Sequence, residues 1–199
     1  MFDMFKKLLM AQQIKFEEGN ISFLNSRVLI APSELFINLI EKFKDNESIC
    51  LELYRASKFC NIKGFADEVS IKYKLKQMEL AKWLVNTGNV SGWGKIKFTS
   101  EDDSNKMAII EVRNGISEKV KSKIPVDHFL RGQIAGGASA AFDIDFDCIE
   151  RKCMAIGEDC CEFVVKPRKS FIKDGISKGF AGQIFSKDEI KKLKVKILK

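Results

Sequence analysis

Proline is scarce in this chain, with three residues in 199, and there is a single histidine. Few prolines, no low-complexity block and a 45% hydrophobic content exclude long disorder, because enough apolar surface is present to offset the cost of ordering the chain. There is no nucleophile elbow, no phosphate-binding loop and no dinucleotide fingerprint, and Gly88 to Gly94 does not supply one. With one histidine besides, little is left for catalysis, and a binding domain is expected in preference to an enzyme. No run approaches the ~20 apolar residues that a bilayer span needs. Met1 to Ala11 is apolar but interrupted by Asp3, Lys6 and Lys7, so it reads as a small docking helix and not as a secretory signal.

At this length the prior is one domain. The net charge of +7 is mostly local: Lys187 to Lys199 holds six lysines against Asp188 and Glu189, leaving +3 for the other 186 residues. A solvated basic helix explains such a tail, and nucleic acid is the less favoured partner. Six cysteines without a secretory signal point to a reducing, cytoplasmic compartment, where thiols are free or bind metal.

Hydropathy patterning predicts three short strands over 13–31, with Ile14, Phe16, Ile21, Phe23 and Val28 alternating between two tight turns. Ser33 is placed as the N-cap of a helix through Phe43, and a second helix covers Ile49 to Cys60. Asp67 to Thr87 reads as one long periodic segment closed by Gly88 as a C′ residue. Gly92-Trp93-Gly94 opens a hairpin with Ile96 and Phe98 inward, an acidic turn at Glu101 to Asp103, and a return run from Met107 to Val112. A helix rich in small residues follows Pro125, and its clustered glycines mean close approach by another backbone or by a ligand. Strands over Ile144–Lys152 and Cys161–Lys166 end the core. The order does not alternate as a doubly wound sheet would, so the fold class is α+β, an antiparallel sheet packed against several helices. Residues 1–169 form the expected single ligand-binding domain and 170–199 a basic appendage.

The sharpest chemical signal is Glu150-x2-Cys153-x7-Cys161 on two strands joined by a short turn. Thiolates and a carboxylate are zinc donors, and a structural site wants a fourth protein ligand, for which Asp127 and His128 both stand as candidates. Cys160 and Cys161 point to opposite faces of a strand, so only one should reach the metal. Cys50, Cys60 and Cys148 read as core residues.

Asp127-His128-Phe129-Leu130-Arg131-Gly132, Ala135-Gly136, Glu150 to Gly157 and Cys161-Glu162-Phe163 together resemble the 4-vinyl reductase domain family. Gly92 to Ile96 and Val112-Arg113-Asn114 resemble its upstream hairpin, so the likeness spans about residues 88–166. The resemblance implies a fold related to vesicle-tethering subunits and nitric-oxide-signalling ligand domains, usually dimeric, with a pocket for a small apolar or aromatic molecule. Relatives include phenol-sensor domains of bacterial activators, in which a zinc is held by a cysteine at the helix start, a glutamate and two further cysteines. Glu150, Cys153 and Cys161 match three of these, whereas the helix-start position is Asp127 here. Four protein ligands would make the zinc structural.

The expected function is therefore a hydrocarbon-binding sensor or carrier with a structural zinc, acting through a protein partner or its own homodimer. An accessory role in vinyl-group reduction and a nucleic-acid-associated role through the lysine-rich tail are the alternatives. Trp93, between two glycines, and Gly136, on the small-residue helix, are the expected ligand-binding positions.

Overall fold

The computed structural model describes residues 10, 13–24, 26–62 and 66–198. Apart from Met10, the docking helix expected over 1–11 lies outside the described residues. Strands β1 (Ile14–Glu17), β2 (Asn20–Phe23) and β3 (Ser26–Val28) form the expected antiparallel sheet, with Ile14 opposite Phe23 and Ile21 opposite Val28. Gly19, at φ +70°, makes the first tight turn.

Four helices follow: α1 (Ser33–Phe43), α2 (Glu47–Cys60), α3 (Ala66–Tyr73) and α4 (Gln77–Val90). Pro32 takes the cap position of α1, and Ser33 sits inside the first turn with its hydroxyl on the Glu34 carboxylate, so Ser33 is not the N-cap. The long segment from Asp67 to Thr87 is broken into α3 and α4, with Lys74 and Gln77 both at positive φ. A continuous helix would have to bury two apolar stripes. The break instead lets Val69 and Leu80 share a small core under the Tyr73–Trp83 ring contact and leaves Ile71 exposed. Gly88 lies within α4 and not at its end; a Cβ there would stand 2.8 Å from Ile96 Cδ1.

The main sheet has strands β4 (Lys95–Asp102), β5 (Met107–Arg113), β6 (Phe146–Lys152) and β7 (Cys161–Pro167) in the order β4-β5-β7-β6, all pairs antiparallel. Ala108, Ile110 and Val112 alternate into the core, as period 2 requires. Phe146 to Glu150 are all buried, because β6 meets both helix α5 (His128–Phe142) and the C-terminal segment.

Helices α5 and α2 pack at backbone distance. A Cβ at Gly132 would lie 2.4 Å from the Tyr54 carbonyl oxygen, and one at Gly136 the same 2.4 Å from that of Lys58. Ser57 Oγ donates to the Phe129 carbonyl and Asn61 Nδ2 to that of Gln133, at 2.8 and 2.7 Å, so polar groups at i and i+4 of one chain segment meet carbonyls at i and i+4 of the other. The glycines thus serve close helix packing.

Residues 168–198 pack against the rest of the fold. Helices α6 (Arg168–Asp174), α7 (Lys178–Ala181) and α8 (Lys187–Lys192), with the short parallel pair β8 (Ile176–Ser177) and β9 (Ile197–Leu198), insert Phe171, Ile184, Phe185 and Val195 into the same core. Glu189 of α8 is ion-paired to Arg55 and Arg168, while Lys187, Lys191, Lys192, Lys194 and Lys196 face solvent. Composition hides this, because the lysines dominate the charge count while a few large apolar residues do the packing.

Candidate metal centre and cavity

Four side chains converge where β6, β7 and the start of α5 meet. The ligand atoms of Asp127, Glu150, Cys153 and Cys161 all lie within 4.8 Å of one another, and all four residues are buried. Each is placed by a local feature. Glu150 and Cys161 sit on antiparallel strands, and the register shift between Glu150 and Lys152 bends β6 towards the turn. Cys153 precedes a single 3-10 turn (Met154–Ile156), whose Met154 N–H donates to Cys161 Sγ at 3.3 Å. Asp127 occupies the N-cap position of α5 but makes no side-chain cap bond; its backbone N–H donates to Glu150 Oε2 at 3.0 Å. Asp127 is therefore not held by helix capping.

The electrostatics ask for a counter-charge. Burial, followed by the neighbouring Asp127 and Cys153, pushes the Glu150 carboxyl well above the usual range. Burial also raises Asp127, opposed by hydrogen bonds from Ser117, Cys161 and Glu150 and by the Arg131 guanidinium. The Cys161 thiol donates to Cys153, which lowers Cys153 to about 7 and raises Cys161. Glu150 Oε1 is buried with no partner among the described residues. Two carboxyls and two thiols in one dry space must hold protons or a cation, so the donor set fits a divalent metal with oxygen and sulfur ligands.

The structure places His128 outside this set. Its Nδ1 accepts from Arg131 Nη2 at 2.9 Å, and burial with the Arg131 charge pushes its pKa down to about 3. A neutral imidazole is the only form that can accept from a guanidinium.

Two contributors escape a reading by spacing. Ser117, fully buried in the 3-10 turn Ile116–Lys119, places its hydroxyl 3.2 Å from Cys161 Sγ. No motif marks it. Arg131, one turn beyond Asp127, is buried over the Tyr54 ring at 4.8 Å. The C-terminal segment adds Gln183, whose side chain bonds both the N–H and the carbonyl of Glu150.

The fold also forms a mostly apolar cavity of about 360 Å³ that opens to solvent. Leu84 and Gly88 of α4, Ile96 and Ile110 of the sheet, and Ile134 and Ala138 of α5 form its walls. Trp93 lies in the lining, held edge-on by Phe36 at 5.5 Å. Gly136 does not: it is spent on the contact with Lys58, and its neighbour Gly137 faces the cavity instead. Cys60, read from sequence as a core residue, is an exposed thiol in the cavity wall.

The family model of the 4-vinyl reductase domain matches residues 110–167, and the resemblance to that family stands. No curated protein matches the chain in sequence. Among solved structures, the phenol-responsive sensory domain of the transcription activator PoxR, with phenol, is similar at TM-score 0.70 and 15% identity, covering 80% of this chain and 87% of that one. A trafficking protein particle complex subunit 3 from Naegleria fowleri, covalently bound to palmitic acid, is similar at TM-score 0.52 and 16% identity, over 68% of this chain and 95% of its own. A vinyl-4-reductase family protein from Methanocaldococcus jannaschii matches at 22% identity over 70% of this chain and 83% of its own, with a TM-score of 0.43. The likenesses to the phenol-responsive domain and to the trafficking subunit are of fold: the α+β architecture is shared.

Proposed function

Starting from the 4-vinyl reductase domain match at residues 110–167, we propose that this chain is a sensor or carrier domain for one small apolar or aromatic molecule. The observation that carries the reading is the cavity. It is concave, largely apolar and lies between α4, α5 and the sheet, in keeping with how small-molecule sites are built. The similar PoxR domain is phenol-responsive, which supports an aromatic ligand.

Asp127, Glu150, Cys153 and Cys161 would hold a structural zinc. Bound there, the metal would replace the acidic protons of the cluster and leave no open position for water. The protein's own contribution is mechanical. Asp127 stands at the start of α5, and Ile134 and Ala138 further along that helix line the cavity, so one element joins both sites. A ligand that bridges α4 and α5 would favour one setting of α5 against the pinned hairpin, and a protein partner or a second copy of the chain would read it.

The test is a titration followed by the fluorescence of Trp93 in a Trp83→Phe background, with phenol and small alkylbenzenes as probes. Saturable change at one molecule per chain is expected, weakened by Trp93→Ala in a calorimetric titration. Linear, unsaturable quenching with every probe contradicts the reading.

Cys60 favours a second reading. Its exposed thiol stands in the wall of the same cavity, and the similar trafficking subunit is covalently bound to palmitic acid. The Cys60 thiolate would attack the carbonyl carbon of an acyl thioester, forming an acyl–sulfur bond and releasing the donor thiol, and the acyl chain would occupy the cavity. Incubation with an acyl-coenzyme A should then add one hydroxylamine-labile acyl group, absent from Cys60→Ser.

A further inference from the structure

The C-terminal segment that fills the core also carries a run of unpaired positive charge. Lys187, Lys191, Lys192, Lys194 and Lys196 are exposed, and none of them forms an ion pair among the described residues. The acidic residues of 168–198 do little to offset them. Asp174 is taken by Lys166 and Glu189 by Arg55 and Arg168, which leaves Asp188. Between the lysines stand aliphatic side chains that the core does not absorb: Leu193, Ile197 and Leu198 are 38, 40 and 39% exposed. The backbone that presents them is ordered. Val195 is buried between Lys194 and Lys196, the Leu193 N–H donates to the Glu189 carbonyl, and β9 is paired with β8. Lysines and aliphatic groups are thus held together on a folded frame, and a partner would not have to order the segment on binding.

Fixed like charges repel one another, and with few acids of the protein's own to answer them their complement is an external polyanion. Nucleic acid and anionic lipid both qualify by charge, and the side chains between the lysines discriminate. Surfaces that read nucleic acid add arginine forks or aromatic stacking platforms. Residues 187–198 contain neither arginine nor an aromatic residue. Lysine heads interleaved with leucine and isoleucine suit an interface where phosphates lie over hydrocarbon: the ammonium groups reach the headgroups while aliphatic side chains enter the boundary beneath. We propose that this face docks on an anionic lipid surface, its lysines against headgroup phosphates and Leu193, Ile197 and Leu198 in the headgroup–acyl boundary. The contact is peripheral and reversible, and it is independent of what the cavity binds.

The experiment is co-sedimentation of the full chain with vesicles of phosphatidylcholine alone and of phosphatidylcholine with about one-third phosphatidylglycerol, at low and high salt. Partitioning onto the anionic vesicles should exceed that onto the neutral ones by about tenfold or more and should fall as salt rises. Each lysine near such a surface contributes roughly fivefold, so a Lys191→Glu, Lys194→Glu double variant should lose at least about twentyfold. Both positions are exposed, so this variant keeps the fold, which a thermal melt checks. Leu193→Ser should weaken binding to anionic vesicles while leaving its salt dependence unchanged, a signature that charge alone does not give. Equal partitioning onto both vesicles, or a double variant that binds like the wild type, would overturn the proposal. Stronger capture by single-stranded DNA than by anionic vesicles at equal phosphate would overturn it too, assigning the face to nucleic acid. None of these outcomes bears on the cavity, whose ligand binding is tested separately.

Discussion

At the scale of single residues, the two strongest pressures are charge and its burial. If the Asp127–Glu150–Cys153–Cys161 set holds the proposed zinc, loss of one donor would leave three buried acidic groups without a cation. With zinc a hundredfold above its dissociation constant, Cys161→Ser should lower stability by about 3 kcal/mol, read as a fall in Tm of roughly 10 °C. A strong chelator should lower the wild type by a similar amount and the variant little. His128 sets a different dependence. Its folded pKa, near 3, is below the ordinary value of 6.5, so the unfolded chain binds the proton more readily. Stability from this residue is full above 6.5 and falls as pH drops towards 3, by at most about 1.4 kcal/mol per pH unit. His128→Asn, whose amide oxygen can accept from Arg131 in place of Nδ1, should flatten that part of the profile in urea unfolding between pH 6.5 and 4. Three of the four cluster residues were legible from spacing on strands. The choice between Asp127 and His128 was not, because adjacent residues at a helix start point apart, and only the packing of Arg131 fixes which one turns inward.

At the scale of elements, the decisive contact is between α2 and α5. Its glycines bring backbone within reach of backbone, and a Cβ at Gly132 meets the Tyr54 oxygen and the Lys58 nitrogen, neither of which can move without its helix. Gly132→Ala should therefore destabilise by about 1–3 kcal/mol despite alanine's better helix propensity, measured by chemical denaturation. Gly157→Ala should cost less than that through space, since nothing stands within 4 Å, and act through its φ of +98°. The β4–β5 hairpin followed from alternation because each of its strands buries a single face. The break at 74–76 did not, since both stripes of the Asp67–Thr87 segment are apolar and their division depends on where Val69 and Leu80 find partners. The cavity was beyond sequence altogether. Phe98, Phe142 and Phe146 line it, but a phenylalanine in a wall and one in a core share the same pattern.

At the scale of the whole molecule, the C-terminal segment completes the fold. Removing residues 168–199 would take Phe171, Ile184, Phe185 and Val195 out of the core and Gln183 from Glu150, so the truncated chain should aggregate or lose its cooperative melting transition. Among the described residues, no helix is long and apolar enough to cross a membrane. What unifies the molecule is one helix, α5, whose cap residue belongs to an acidic, thiol-lined knot and whose middle lines a greasy chamber. The most direct check is native mass spectrometry of the chain reconstituted with zinc and 4-ethylphenol. One zinc and one phenol per chain, the zinc lost in a Cys153→Ser, Cys161→Ser double variant, is the predicted spectrum. A chain that remains bare of both, or that binds zinc equally well without its two cysteines, would contradict the account.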